Sequence, residues 1–326
     1  MRSSARREAP QLTVRARRPY PSRRLGAVTR QLAKFQPHES LSDRAPATTL
    51  PFAVEPLERI AAPSHEDFAQ RFVRPRRPVI VTGLTRGWLA PERWTLVRMA
   101  HEYGDARVVA AVLSEGTLLD DPTSGVVFRR ILVRDFIESF SAAGSAAHYV
   151  MAPTSNFPAS FQRDYQVPPY CAGAAHLRAK VWIGKAGTVT PIHRDVPHNL
   201  HVHLTGRKRW LLFPPGHGSR MYSHGLFSGM PNFSRIDPER PDYGRFPRFR
   251  GLTALGGGVE PSETLFIPRG WWHHTRTLED AVSMNFWWGG QLVQLSSLAS
   301  TLFKRARRIR RDEWASNPRV AVRKFH

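Results

Sequence analysis

From about residue 78 to residue 288 the apolar positions fall in short runs broken by Gly, Pro and charged residues. They do not form the long 3.6-residue stripes of a helical bundle. Runs of four to eight apolar or β-branched residues bounded by turn formers predict strands. Pro78-Val-Ile-Val-Thr-Gly83 predicts a buried strand, and 107–113 another. From residue 147 the strand signals come close together, at 148–151, 180–184, 188–192, 200–204, 209–213, 264–267, 274–278 and 282–288. Closely spaced short strands of this kind make a sandwich or barrel. Helical patterns are few. Ser64 is placed to cap a helix over 64–72, with Glu66 and Asp67 in its first turn, where the helix dipole favours acids. A second helix is expected over 94–103, ending before Gly104. Apolar residues at 292, 295, 298, 302, 303, 306 and 309 predict a third over 292–309, with Lys304, Arg305, Arg307 and Arg308 towards its C-terminal end.

The segment 216–258 is rich in Gly, Pro and Arg. A connection of that length inside a domain is expected to be functional or to carry small elements of its own. Residues 1–48 are Arg-, Pro- and Ser-rich and are expected to be a disordered basic leader with at most a short helix at 25–35. The ordered domain is expected over 49–290, with a jelly-roll core at about 147–290, and a basic helix and tail over 291–326. The fold class is therefore mainly β with flanking helices.

Composition sharpens this in two places. The net charge is +22, but nine Arg and Lys34 against Glu8 lie in residues 1–35, and nine Arg or Lys against Asp312 and Glu313 lie in 303–326. About +6 remains for everything between, so the basic character belongs to the ends. These Arg runs lack a recognisable nucleic-acid reading motif and are expected to be solvated tails. Cys171 is the only cysteine, which rules out an internal disulfide and a cysteine zinc site. No apolar run approaches the roughly 18 residues of a membrane span. A cytoplasmic location is expected.

The candidate chemistry lies in Gly187-Thr-Val-Thr-Pro-Ile-His193-Arg-Asp195. On a strand, residues two apart share a face, so an imidazole and a carboxylate enter one cavity together. A second His from another strand completes three ligands on one side of a metal. Two His and one carboxylate with open positions is the donor set of non-haem Fe(II) oxygenases. The second His is expected from Trp271-Trp-His273-His274, whose two histidines face opposite ways on an extended chain, so only one can ligate. Spacing does not choose between them. The neighbouring Trp271, Trp272, Trp287 and Trp288 are expected to serve as core and rim packing.

The run 187–195, followed by Asn199, by Gly206-Arg-Lys-Arg-Trp-Leu-Leu-Phe-Pro-Pro215, by Leu265-Phe-Ile-Pro-Arg-Gly-Trp-Trp-His273 and by Met284-Asn-Phe-Trp-Trp288, resembles the JmjC or cupin-like family of 2-oxoglutarate dioxygenases. It is most similar to the branch that holds the asparaginyl hydroxylase of hypoxia-inducible factor and related protein hydroxylases. The resemblance covers about residues 55–290. It implies a double-stranded β-helix, a form of jelly roll, with N-terminal α/β elements. It implies Fe(II) on His193, Asp195 and His273, the first of the paired histidines. It also implies 2-oxoglutarate held through its distal carboxylate by Lys208, helped by Thr190 and Tyr149, with Asn199 and Asn285 near the cosubstrate and metal, and O2 as co-reactant. The chain departs from the family pattern at Ser262-Glu263, in a turn, and at His201, where the family carries an apolar or aromatic residue. His198, His201 and His203 either reshape the pocket or lie on the surface.

The expected function is hydroxylation of a peptide or protein side chain with release of succinate and CO2. A hydroxylase of a free amino acid or small peptide in specialised metabolism, an N-methyl demethylase and a non-catalytic cupin-like binding protein are the alternatives. Dimerisation through the helix at 292–309 is expected from the same family.

Overall fold

The computed structural model describes residues 49–289, except 115–116, 119–127, 141–147, 175–176, 226–227 and 229. The expected leader at 1–48, its short helix, and the helix at 292–309 with its dimer role lie outside the described residues.

Fifteen strands are linked edge to edge among the described residues. β1 (Val54–Pro56), β2 (Arg59–Ala61), β3 (Val79–Thr82), β4 (Arg107–Ser114), β5 (Thr117–Leu118) and β6 (Phe128–Leu132) precede the region where the core was expected. That region holds β7 (His148–Pro153), β8 (Arg178–Gly184), β9 (Val189–Arg194), β10 (His198–Thr205), β11 (Lys208–Phe213), β12 (Ala254–Val259), β13 (Thr264–Ile267), β14 (Trp272–Thr277) and β15 (Ala281–Trp288). One sheet runs β7-β8-β15-β10-β13-β3-β2 and the other β1-β12-β11-β14-β9. The sheets face each other. Lys208 on β11 reaches Tyr149 on β7 and Ser283 on β15, and Trp210 on β11 meets His201 on β10. This is the jelly-roll architecture expected from the sequence.

Each expected strand is present, with its ends within two residues of the expected positions. Two helical expectations shift more. Ser64 does cap a helix, accepting from the Asp67 N–H, but α1 (His65–Phe68) passes into a π turn over Ala69–Val73. The helix expected from Trp94 divides: α2 (Ala90–Arg93) stops there, and Thr95 caps α3 (Leu96–Glu102). α4 (Val133–Glu138) and α5 (Ala159–Gln162) complete the helices used below. Segment 216–258 carries 3-10 turns at Pro215–Arg220 and Pro247–Phe249 and ends in β12, which the pattern did not predict. Ser262, in the departing turn, sits at φ 70, and Glu263 pairs with Arg59.

Both faces of the first sheet are buried, with different chemistry on each. On β10, Leu200, Val202 and Leu204 belong to a core shared with Phe68, Phe72, Trp94, Phe136 and Phe161 of the helical layer. Asp164 anchors that layer, accepting from Trp94 Nε1, Tyr103 Oη and Arg93. The alternate residues Asn199, His201 and His203 point between the sheets. The outer face of the second sheet is covered by Met221, Ile236, Phe246, Phe249 and Leu252 of the long segment, against Ile192, Leu211, Phe213 and Trp272. Two apolar cores thus lie on the outer faces; between the sheets a smaller core of Trp210, Leu212, Leu265 and Ile267 shares the space with polar side chains.

That arrangement has a consequence for acid stability. His198 is buried and its Nδ1 accepts from the Arg269 N–H at 3.2 Å; His203 is fully buried and its Nε2–H donates to the Gly206 carbonyl at 2.9 Å. Burial first, then neighbouring cations (Arg269 and Arg76 for His198, Lys208 for His203), lower their pKa values from 6.5 to about 4 and about 3. The unfolded chain therefore binds these protons more readily. The stability is fully present above pH 6.5 and is lost as the pH falls towards the folded values. Each His contributes a slope of up to about 1.4 kcal/mol per pH unit. Thermal melts between pH 8 and 5 should fall steeply below about pH 6.5, and less steeply in His203→Leu. A flat profile would contradict neutral burial of these rings.

Candidate metal centre and cosubstrate pocket

The register of the strands explains how the candidate ligands meet. His193 near the end of β9 lies opposite His273 near the start of β14, and their ring centroids are 4.1 Å apart. Asp195 follows β9 by one residue. One ligand atom from each of His193, Asp195 and His273 lies within 4.8 Å of the others. No other such cluster of three exists among the described residues. His193 Nδ1–H donates to the Pro191 carbonyl at 2.9 Å, and His273 Nδ1–H donates to the Trp271 carbonyl at 3.0 Å. With Nδ1 committed to a carbonyl, each ring keeps its Nε2 lone pair for a metal. On the carboxylate, Oδ2 accepts from Trp287 Nε1 at 2.8 Å and Asn199 Nδ2 at 3.2 Å. Burial works to raise the Asp195 pKa, but the two imidazoles and these donors outweigh it and hold the group ionised.

The two histidines of the pair lie on opposite faces of β14. β14 carries an irregularity in its pairing with β9 between His273 and Thr275. His273 turns to the space between the sheets. His274 pairs with Leu211 on the outer face, near Glu239 and Arg276, and is buried without a hydrogen-bond partner.

The cavity beside the three ligands has a volume of about 80 Å3 and is lined by Tyr149, Trp182, Thr190, Asn199, His201, Trp210, Thr275, Asn285 and Trp287 as well as the ligands. Thus Thr190, Tyr149, Asn199 and Asn285 all reach it, as the resemblance implied. Lys208 lies behind Tyr149 of the cavity wall, fully buried, with Nζ donating to Ser283 Oγ at 2.9 Å and Tyr149 Oη at 3.2 Å. No carboxylate pairs with Lys208 among the described residues. Burial lowers its pKa to about 7 and pushes the Tyr149 phenol well up. Its neighbours Arg207 and Arg209 meet Glu279 and Glu239, while Lys208 points inward.

Four further buried polar atoms on the cavity wall have no protein partner: Trp182 Nε1, His201 Nε2, Trp210 Nε1 and Thr275 Oγ1. Orphaned polar groups and an uncompensated ammonium are costly in an empty interior and are retained where a ligand satisfies them. A dicarboxylate such as 2-oxoglutarate has the charge and the acceptors that this demand calls for, and the His-Asp-His donor set fits Fe(II). A second cleft, between Arg107, Arg130, Asp135 and Asn156, holds no such set.

The residues missed by sequence reasoning follow one rule. Trp210 lies two positions from Lys208 and Thr275 two from His273, so strand parity places both inside. Trp287, expected as packing, instead holds Asp195. His198, His201 and His203 are buried rather than superficial, and His201 lines the cavity. A continuous chain joins it to the ligand: His201 Nδ1 meets Asn285 Oδ1 at 3.1 Å, Asn285 Nδ2 donates to Asn199 Oδ1 at 2.7 Å, and Asn199 donates to Asp195.

Comparison with known proteins agrees with this geometry. A family model described as a cupin-like domain matches residues 65–292. The "Lysine-specific demethylase 8" of Xenopus tropicalis is 26% identical over 263 residues, covering 78% of this chain and 58% of the relative. "Lysine-specific demethylase JMJ30" of Arabidopsis thaliana is 28% identical, covering 74% and 56%. The human "Bifunctional peptidase and (3S)-lysyl hydroxylase JMJD7" is 26% identical, covering 73% and 85%. The chain therefore spans little more than half the length of the two demethylases.

Proposed function

The chain belongs to the cupin-like JmjC family of Fe(II)- and 2-oxoglutarate-dependent oxygenases, and we propose that it hydroxylates a side chain of a peptide or protein substrate. One observation carries the reading. Three ligand atoms of His193, Asp195 and His273 converge beside a cavity, and a buried lysine with no carboxylate partner among the described residues hydrogen-bonds Tyr149 on its wall. In this reading, His193, Asp195 and His273 hold the iron. Lys208 takes the distal carboxylate of 2-oxoglutarate, with Tyr149 and Thr190 beside it. When bound, iron with 2-oxoglutarate and O2 supplies oxidation of a C–H bond and releases succinate and CO2. The chain itself sets position and access. The Pro191 and Trp271 carbonyls fix which imidazole nitrogen faces the metal. Trp287 and Asn199 orient Asp195. Trp182, Trp210 and Trp287 wall the cavity against water.

Hydroxylation and N-demethylation share the oxidant and differ in product. Incubating the chain with Fe(II), 2-oxoglutarate and a proteome-derived peptide mixture should give peptides heavier by one oxygen, dependent on 2-oxoglutarate. Loss of a methyl group from methyl-lysine peptides, with no oxygen gain elsewhere, would replace this reading with demethylation.

A further inference from the structure

Lys180 is a second half-buried lysine beside the site, and neither the metal nor 2-oxoglutarate accounts for it. It lies on the inward face of β8, in the row Arg178, Lys180, Trp182, Gly184. Register places Lys180 beside Asn285 and Arg178 beside Trp287 on β15. Trp182 lines the cavity and Lys180 does not; its ammonium sits 5.7 Å from the centroid of the Trp287 ring, one step towards solvent. Arg178, the next inward residue, is exposed. The row therefore runs from the cavity wall to its rim.

Lys180 has no hydrogen bond or ion pair among the described residues, although it is partly buried. The charged groups that act on it are Arg178, which repels it, and Asp195, which attracts it. Burial, more than either, lowers its pKa. Asp195 is engaged by Trp287 and Asn199 and faces the candidate ligands. Among the described residues, the other strand ends around this mouth supply no alternative anion. Arg194, between His193 and Asp195, turns instead to the outer face and lies over Trp272 at 4.9 Å. In segment 154–177 the one carboxylate, Asp164, is buried and bound to Arg93, Trp94 and Tyr103. The turn 268–271 has no acid. In the long segment, Glu239 is bound by Arg209 and Arg276, and Asp237 and Asp242 accept from their own backbone. Among the described residues, the mouth thus presents Lys180 and Arg178 without a paired carboxylate.

We propose that Lys180, with Arg178 beside it, receives a carboxylate of the substrate to be oxidised, so that the chain acts on an acidic peptide or acidic small molecule and not on a lysine or arginine side chain. The proposal rests on the dioxygenase reading of the adjoining cavity. A carboxylate compensates the desolvated ammonium, whereas a cationic side chain entering past Trp287 meets a like charge. This sets the chain apart from its relatives named for lysine chemistry.

The test uses the full chain with Fe(II) and 2-oxoglutarate under anaerobic conditions, and two peptide pools of equal length. One pool has Asp and Glu flanking a randomised centre, the other Lys and Arg. At about 0.15 M salt, attraction to distant charges is largely screened. Affinity selection read by mass spectrometry should retain the acidic pool at least about tenfold over the basic one, equivalent to ~1.4 kcal/mol. Lys180→Glu should bring that ratio to about one or reverse it, and Lys180→Met should fall between; circular-dichroism melts check that each variant folds, and Lys180→Met is decisive if the other does not. Free aspartate and glutamate serve as competitors. Displacement by them identifies a small-molecule source of the same carboxylate. Equal retention of the pools by the native chain overturns the proposal. So does an acidic preference that persists in both variants, which would belong to the basic ends. Succinate release from 2-oxoglutarate by the native chain in air is measured separately. Its absence would remove the dioxygenase reading, whatever the selection shows.

Discussion

A Lys208→Met variant is expected to bind 2-oxoglutarate at least about 100-fold more weakly than the native chain, yet to melt at a higher temperature when no ligand is present. The two effects have one cause. Lys208 is fully buried, its Nζ touches only the neutral oxygens of Ser283 and Tyr149, and no carboxylate pairs with it among the described residues. Without ligand, the ammonium is a desolvated charge without a partner. Replacing such a charge with an apolar side chain of similar length stabilises by about 1–4 kcal/mol in comparable buried sites. With ligand, the ammonium meets a carboxylate, and removing one member of a buried pair costs about 3–5 kcal/mol, which corresponds to a hundredfold or more in affinity.

The pH dependence gives the prediction a sign. Burial lowers the Lys208 pKa from 10.5 to about 7. The unfolded chain holds this proton more tightly, so the penalty to the folded chain is full below pH 7 and shrinks as the pH rises towards 10.5. The difference in melting temperature between variant and native chain should therefore narrow over that window. Calorimetric titration with 2-oxoglutarate and ligand-free melts from pH 7 to 10 check both parts. Unchanged affinity would remove Lys208 from the site, and a variant that melts several degrees lower would show that an internal partner already compensates the charge.

The sequence carried much of this arrangement, for reasons that differ from residue to residue. His193 and Asp195 were legible because strand parity puts residues two apart on one face. His273 was chosen over His274 by family resemblance, since parity says only that they diverge. Which one faces inward depends on the pairing of β14 with β9, including the irregularity between His273 and Thr275, a long-range property that local pattern does not contain. Lys208 was obscured by the run Arg207-Lys208-Arg209, whose two arginines reach Glu279 and Glu239. His201 and His203 looked superficial because polar residues ordinarily face water. Here the larger apolar layers lie outside the two sheets, and polar side chains share the space between them with a smaller apolar cluster around Trp210 and Leu265.

β12 was missed for a related reason. Its Leu255-Gly-Gly-Gly-Val259 stretch reads as a turn, yet it pairs with β11 on one side and β1 on the other. At Gly256 a Cβ would come within 2.6 Å of the Trp210 carbonyl oxygen and 3.0 Å of Val54. The glycine is there because backbones and side chains close in on it, not because the chain turns.

The central claim is that one iron is held by His193, Asp195 and His273, and Asp195 is the residue whose removal tests it most directly. It is the one anionic ligand of the three, and its Oδ2 is fixed by Trp287 at 2.8 Å and Asn199 at 3.2 Å. Loss of a supporting hydrogen bond around a metal ligand typically costs 10–100-fold in affinity or activity, so loss of the carboxylate itself should cost more. The decisive measurement is Fe(II) content after anaerobic loading and desalting, with succinate formation from 2-oxoglutarate on the same samples. The native chain should retain about one iron per chain and form succinate. Asp195→Ala should lose both by at least about 100-fold, and His274→Ala should keep the iron. Retention of iron and turnover by Asp195→Ala would contradict the assignment, as would a native chain that holds no iron.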